Sequence, residues 1–142
     1  LQARSGSAVS GTLQVNPMGD GVHVSGRISG LAPNSDHGFH IHEKGDCSAA
    51  DASSAGGHFN PAGQPHGKVG DTPHHLGDQM NLHADAAGTA VVDAHFAGVS
   101  LGTGQDSDVM NRALVVHADP DDYTSQPSGN AGKRIACGVI MK

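Results

Sequence analysis

The sequence predicts an all-β sandwich or barrel. Short apolar runs alternate with polar residues at a period of two, and no stretch has a convincing helical period. The 21 glycines and 7 prolines fall between those runs, where turns are needed. At this length a single domain over residues 1–142, with a real hydrophobic core, is the natural organisation. Aromatic content is 3% with no tryptophan, so the core must be built from Val, Ile, Leu and Ala.

Taken in order, residues 1–5 are a candidate first strand that turns at Ser5-Gly6-Ser7. Val9, Leu13 and Val15 share one parity and mark a second strand ending near Asn16-Pro17. Met18-Gly19-Asp20-Gly21 makes a hairpin turn. In the third strand Val22, Val24 and Ile28 face one way, and His23, Ser25, Arg27 and Ser29 face the other. After a connection over 31–36, Phe39 and Ile41 alternate with His40 and His42. Further strands are expected at Gln79–Ala84, Thr89–Phe96, Arg112–Ala118 and Arg134–Met141. That gives about eight antiparallel strands. Residues 43–78 and 118–133 remain as two long connections, and loops of that length in a compact domain carry function or are disordered.

The formal charge of −6, with no basic stripe, argues against a nucleic-acid partner. No apolar run approaches the length of a membrane-spanning helix. The chain starts at Leu1 without a visible signal peptide, so a processed or trimmed product is expected. A disulfide between Cys47 and Cys137 would close a loop of about 90 residues and stabilise the fold by roughly 4–5 kcal/mol on the loop-entropy model. Two buried free thiols are the alternative.

The chemistry is concentrated in histidine. His40 and His42, two apart on a strand, project from one face and make a chelating pair on a rigid element. The following loop supplies His-x7-His-x8-His-x2-Asp from His58, His66, His75 and Asp78. Three imidazoles and one carboxylate make a closed tetrahedral set that suits Zn²⁺. His117, at the end of another strand, can complete the first group. A nitrogen-only set suits Cu(II), so copper is expected next to zinc. His23, His83 and His95 have no partner close in sequence and read as solvated.

The segments GFHIHE, GGHFNP, HHLGD, LVVHADPDD and GNAGKRIACGVI resemble the signature segments of copper/zinc superoxide dismutases, in the spacing of the exported bacterial branch. The resemblance runs from about Ser7 to the end of the chain and implies an eight-stranded antiparallel Greek-key β-barrel with two long functional loops. By motif it assigns His40, His42, His58 and His117 to copper, and His58, His66, His75 and Asp78 to zinc. His58 would bridge the metals as an imidazolate while copper is oxidised, and take a proton when copper is reduced. Asp121 resembles the carboxylate that hydrogen-bonds a copper-ligand and a zinc-ligand histidine, here His40 and His66. His37 resembles a structural histidine, and the H-x2-D spacing selects His75 over His74. Cys47 and Cys137 match the family's disulfide.

Arg134 resembles the guanidinium that guides the anion to copper, with Ser128 and Lys133 at the channel rim. The loop from Ala118 to Arg134 is short and rich in Asp, which leaves steering to few cations, among them Lys44 and Lys68. The implied activity is dismutation of superoxide to oxygen and hydrogen peroxide by copper that alternates between Cu(2+) and Cu(+). The competing reading is a non-catalytic copper/zinc-binding or copper-delivery protein of the same fold, which would not require Arg134. A periplasmic or secreted setting and a homodimer packed through barrel strands are the remaining expectations.

Overall fold

The computed structural model describes residues 2–3, 5–61, 63–64, 66–68, 74–126, 129 and 131–141. These form strands β1 (Gln2–Ala3), β2 (Ser10–Met18), β3 (Gly21–Ser29), β4 (Asp36–His37), β5 (Phe39–His42), β6 (Leu82–His83), β7 (Ala90–Ala97), β8 (Ala113–His117) and β9 (Arg134–Val139). A 3₁₀ turn at Ser53–Ala55 is the only helical element among them. One sheet runs β1-β9-β8-β5, a second β2-β3-β7, and a short ladder pairs β4 with β6. All the ladders are antiparallel. β3 pairs with β7 and β5 with β8, so the chain crosses between sheets in the Greek-key manner. The all-β antiparallel barrel is therefore the class the sequence predicts.

Two details differ from the sequence expectation of about eight strands. The segment expected as a strand over 79–84 is only a two-residue ladder, Leu82–His83, paired with Asp36–His37. Two residues are too short to leave a period in the sequence. β2 also runs on through Pro17 to Met18; among the described residues it has only β3 as a ladder neighbour, so the missing amide of Pro17 falls on an open edge.

The strands differ in what covers them. β7 alternates strictly, with Ala90, Val92, Ala94 and Phe96 buried and the residues between them exposed. β5 and β8 are buried on both faces. Their inner residues Phe39, Ile41, Leu114 and Val116 join the main core, and Phe39 meets Phe96 with ring centroids 6.1 Å apart. Truncating such a buried Phe to Ala costs about 3–5 kcal/mol. On the outer side Ala113 and Val115 pack with Ala52, Ala55 and Cys137 in a separate small cluster. The long loop after β5 forms that cover, and it is fastened by the Cys47–Cys137 disulfide across 90 residues of chain. The histidines of β5, His40 and His42, lie buried beneath this cover.

Candidate metal centre

β5 presents His40 and His42 on its outer face, opposite Val115 and Ala113 of β8. His117 ends β8, where the β8–β9 register shifts between Val116 and His117 and places it opposite Arg134. The returning loop adds His58 through a bridge to His42. Two four-residue prospective ligand sets result, His40, His42, His58 and His117, and His58, His66, His75 and Asp78, with a third group, His40, His66 and Asp121, between them. All seven residues are buried, and His58 belongs to both sets.

His40 and His42 are each held by one ring nitrogen, which leaves the other for a metal. His42 Nδ1 donates to the Gly56 carbonyl at 2.8 Å, leaving Nε2 3.4 Å from His117 Nε2. His40 Nε2 lies 2.7 Å from Asp121 Oδ2, and His40 Nδ1 is buried with no partner among the described residues. The same holds for His58 Nε2, whose ring stacks 4.0 Å from that of His40. Buried polar nitrogens left unpaired are costly. Here two such atoms belong to one cluster of imidazoles, which is what a set of nitrogen ligands for copper requires.

The second set converges on Asp78. Its Oδ1 lies 2.8 Å from His58 Nδ1 and 2.9 Å from His66 Nδ1, and 3.4 Å from His75 Nδ1. His58 Nδ1 and His75 Nδ1 are 3.1 Å apart. A tetrahedral ion bound at about 2.0–2.1 Å separates its ligand atoms by roughly 3.3 Å, so three nitrogens and one oxygen here fit Zn²⁺. Asp78 Oδ2 is turned away and accepts the His75 backbone amide at 2.8 Å.

Asp121 ties the two sets together. Its Oδ1 is 2.8 Å from His66 Nε2 and its Oδ2 is 2.7 Å from His40 Nε2, with all three side chains fully buried. Carboxylates of this kind fix the tautomer and orientation of a ligating ring. Asp121 is held in turn by Asn81, which accepts its amide at 2.8 Å and donates to its carbonyl at 3.0 Å. Gly129, at φ +76°, must lack a Cβ, because one would overlap Asp121 Oδ1. Gln126 grips the backbone of His66 at both amide and carbonyl, each at 2.8 Å. Asn81, Gln126 and Gly129 were not singled out from the sequence: amide clamps and close approaches leave no spacing pattern.

Burial sets the protonation of the rings. It holds His40 below, and His42 well below, the ordinary histidine value. Burial lowers His58 to about 4. Burial and repulsion from His40 lower His117 to about 3. These rings are neutral at physiological pH, as metal ligands must be. For His66 burial acts in the same direction, but the hydrogen bonds to Asp121 and Asp78 outweigh it and raise the value to about 9. Hydrogen bonds from His58, His66 and His75 to Asp78, and from His40 and His66 to Asp121, hold both carboxyls far below the usual carboxylate range, against the effect of burial.

The Arg134 guanidinium is half-buried, with Nη1 donating to the Ala52 carbonyl at 2.9 Å. His37 is buried outside both sets and bonds the His117 carbonyl at 2.9 Å and Ser35 Oγ at 2.6 Å. His74 lies outside both sets, with Nδ1 2.7 Å from the His75 carbonyl. Lys44 and Lys133 are exposed, and Lys68 Nζ lies 5.8 Å from the Tyr123 ring centroid. Ser128 lies outside the described residues. His23, His83 and His95, read as solvated, each have a carboxylate partner in Asp93, Asp36 and Asp20. Folding brings these acids in from other strands and turns, so local sequence could not reveal the pairs.

The family model for copper/zinc superoxide dismutase (SODC) matches residues 9–140. The chain is 42% identical over 135 residues to the Cu-Zn superoxide dismutase 2 of Aquifex aeolicus (strain VF5), covering 93% of this chain and 79% of that one. With the Cu-Zn superoxide dismutase 1 of the same organism it shares 45% identity over 123 residues, 84% of this chain and 73% of the relative. Among solved structures, a SOD-like protein from Bacillus subtilis superposes with a TM-score of 0.89 at 37% identity, covering 98% of this chain and 94% of that one. The clock protein EA4 superposes at 0.84 and 39% identity, covering 95% and 88%.

Proposed function

The chain belongs to the copper/zinc superoxide dismutase family, and we propose that it dismutates superoxide at copper held by His40, His42, His58 and His117, beside zinc held by His58, His66, His75 and Asp78. Bound copper supplies one-electron redox chemistry, by which one superoxide leaves as oxygen and a second, with two protons, as hydrogen peroxide, while d¹⁰ zinc supplies fixed charge. The observation that carries this division is His58. It is common to both ligand sets, with Nδ1 turned to Asp78 and His75 and Nε2 buried with no partner among the described residues.

The chain's own groups supply the rest. Because Nδ1 of His58 is committed to the Asp78 side, Nε2 is the atom at which this ring holds a proton and gives it up to the departing peroxide. The second proton comes from solvent. Asp121 and the Gly56 carbonyl keep His40 and His42 in fixed tautomers. Arg134 uses Nη1 on Ala52, and its other N–H groups, for which no hydrogen bond is seen among the described residues, would serve an anion. A planar, permanently charged donor suits a small anion beside a redox metal.

Arg134 also favours an enzyme over a metal carrier, which needs ligands but no guanidinium beside them. Replacing it tests this. Arg134→Ala should keep both metals and lose rate, most visibly at low ionic strength. Added salt, which screens charge beyond about 8–10 Å, should narrow the gap without closing it, because the close hydrogen bond is hardly screened. Arg134→Lys should recover much of the attraction and less of the hydrogen bonding. A fully metallated Arg134→Ala protein with wild-type rate at every salt concentration would remove the guanidinium from the mechanism.

Two further expectations belong to the same proposal. The disulfide supports an oxidising setting, periplasmic or secreted; residence of the native protein in a reducing cytosol, found by cell fractionation, would refute it. A homodimer through barrel strands is supported by the partly exposed Leu13, Val15, Val139 and Met141, which line one groove of about 590 Å³. Sedimentation showing only monomer at micromolar concentration would refute that.

A further inference from the structure

The outer face of β3 and β7 carries a second histidine pair that the buried centre does not use. His23 and His95 stand directly opposite each other in the β3–β7 ladder. Both lie on the solvent side, since their neighbours Val22, Val24, Ala94 and Phe96 are buried. Their ring centroids are 6.5 Å apart, with planes inclined by 33°. Within the buried ligand sets, the pairs His40–His42 and His58–His117 have centroids 6.3 Å apart. The surface rings are therefore spaced much like rings of one buried ligand set.

Each surface ring also has its own carboxylate on Nε2. Asp93 Oδ1 lies 2.5 Å from His23 Nε2, and Asp20 Oδ1 accepts from His95 Nε2 at 2.9 Å. Among the described residues neither Nδ1 has a hydrogen-bond partner. A carboxylate on one ring nitrogen orients a metal-ligating histidine and raises the basicity of the other nitrogen. The buried centre has the same arrangement, with Asp121 on Nε2 of His40 and His66.

We propose that His23 and His95 form a third, solvent-facing site for a divalent transition-metal ion. The two Nδ1 atoms ligate, Asp93 and Asp20 hold the Nε2 atoms, and water completes the coordination. Two imidazoles on a rigid ladder suit Cu²⁺, Ni²⁺ and Zn²⁺, with Cu²⁺ held most tightly. Ca²⁺ and Mg²⁺, which take oxygen ligands, do not fit. The site shares no residue with the buried centre, so it can be filled or emptied without disturbing it.

The test is a titration of the copper- and zinc-loaded protein with Cu²⁺ at pH 7.5, with zinc retention checked by metal analysis. Wild type should take up one further equivalent, giving a copper EPR signal distinct from that of the buried ion. His23→Gln and His95→Gln should each abolish this equivalent in the micromolar range while leaving the buried metals, the melting temperature and the superoxide activity unchanged. Asp93→Asn and Asp20→Asn should weaken it by about 10–100-fold. His83→Gln, which removes an exposed histidine outside the pair, should leave it intact. The site is overturned if wild type takes up no further copper, or if the extra equivalent persists in His23→Gln or His95→Gln.

Discussion

Arg134 donates from Nη1 to the carbonyl oxygen of Ala52 at 2.9 Å. Ala52 lies in the loop that Cys47 fastens to Cys137, three residues beyond Arg134 on β9. Ser5 secures the same region from the other side, through the Ala50 carbonyl at 2.7 Å and the Arg134 carbonyl at 2.8 Å. The position of the guanidinium therefore depends on a loop held by one covalent link.

Reducing that link should lower both stability and rate. Closing a loop of this size stabilises by about 4–5 kcal/mol on the entropic model, so denaturant unfolding of the reduced protein should show a loss of that order. Superoxide consumption per bound copper should fall as well, because Ala52 no longer fixes Arg134. An unchanged rate per copper, with both thiols shown to be free, would contradict the tether.

Asp78→Ala should separate the two centres. Asp78 lies within ligand distance of His58, His66 and His75 and belongs only to the second set. The variant should fail to hold zinc while His40, His42 and His117 still hold copper, and its melting temperature should no longer rise when zinc is added. Metal analysis showing zinc retained and copper lost would reverse the assignment.

Zinc binding to the metal-free protein should release about one proton per ion between pH 7 and 8. His66, raised to about 9, carries that proton, whereas His58 at about 4 and His117 at about 3 are already neutral. A raised value means that protonated His66 stabilises the metal-free fold below 6.5, the unshifted value, and that this contribution disappears as pH rises through about 9. Zinc affinity should accordingly climb with pH and level off near 9. Calorimetry in buffers of different ionisation heat counts the proton, and an affinity flat from pH 6.5 to 8.5 would contradict the role given to His66.

The residues of the two prospective ligand sets were legible in the sequence because metal chemistry demands particular residue types at fixed offsets. His40 and His42 share a strand face, and His75 and Asp78 share a tight turn. Less legible was what holds them. The Gly56 and Ala52 carbonyls are backbone groups that any residue supplies. Asn81 and Gln126 act across tens of residues, and β4 and β6 are too short to leave a period. The alternation in β5 correctly separates its two faces, but it does not reveal that a loop buries the histidine face as completely as the core buries the other.

We propose catalysis at a copper that shares His58 with zinc. Its most direct test titrates copper into zinc-loaded, copper-free protein and follows superoxide decay after a radiolytic pulse. The rate should rise in proportion to bound copper, stop rising at one copper per chain, and recur over many turnovers. Protein shown by metal analysis to hold one copper and one zinc, yet leaving superoxide to decay at its uncatalysed rate, would contradict the account.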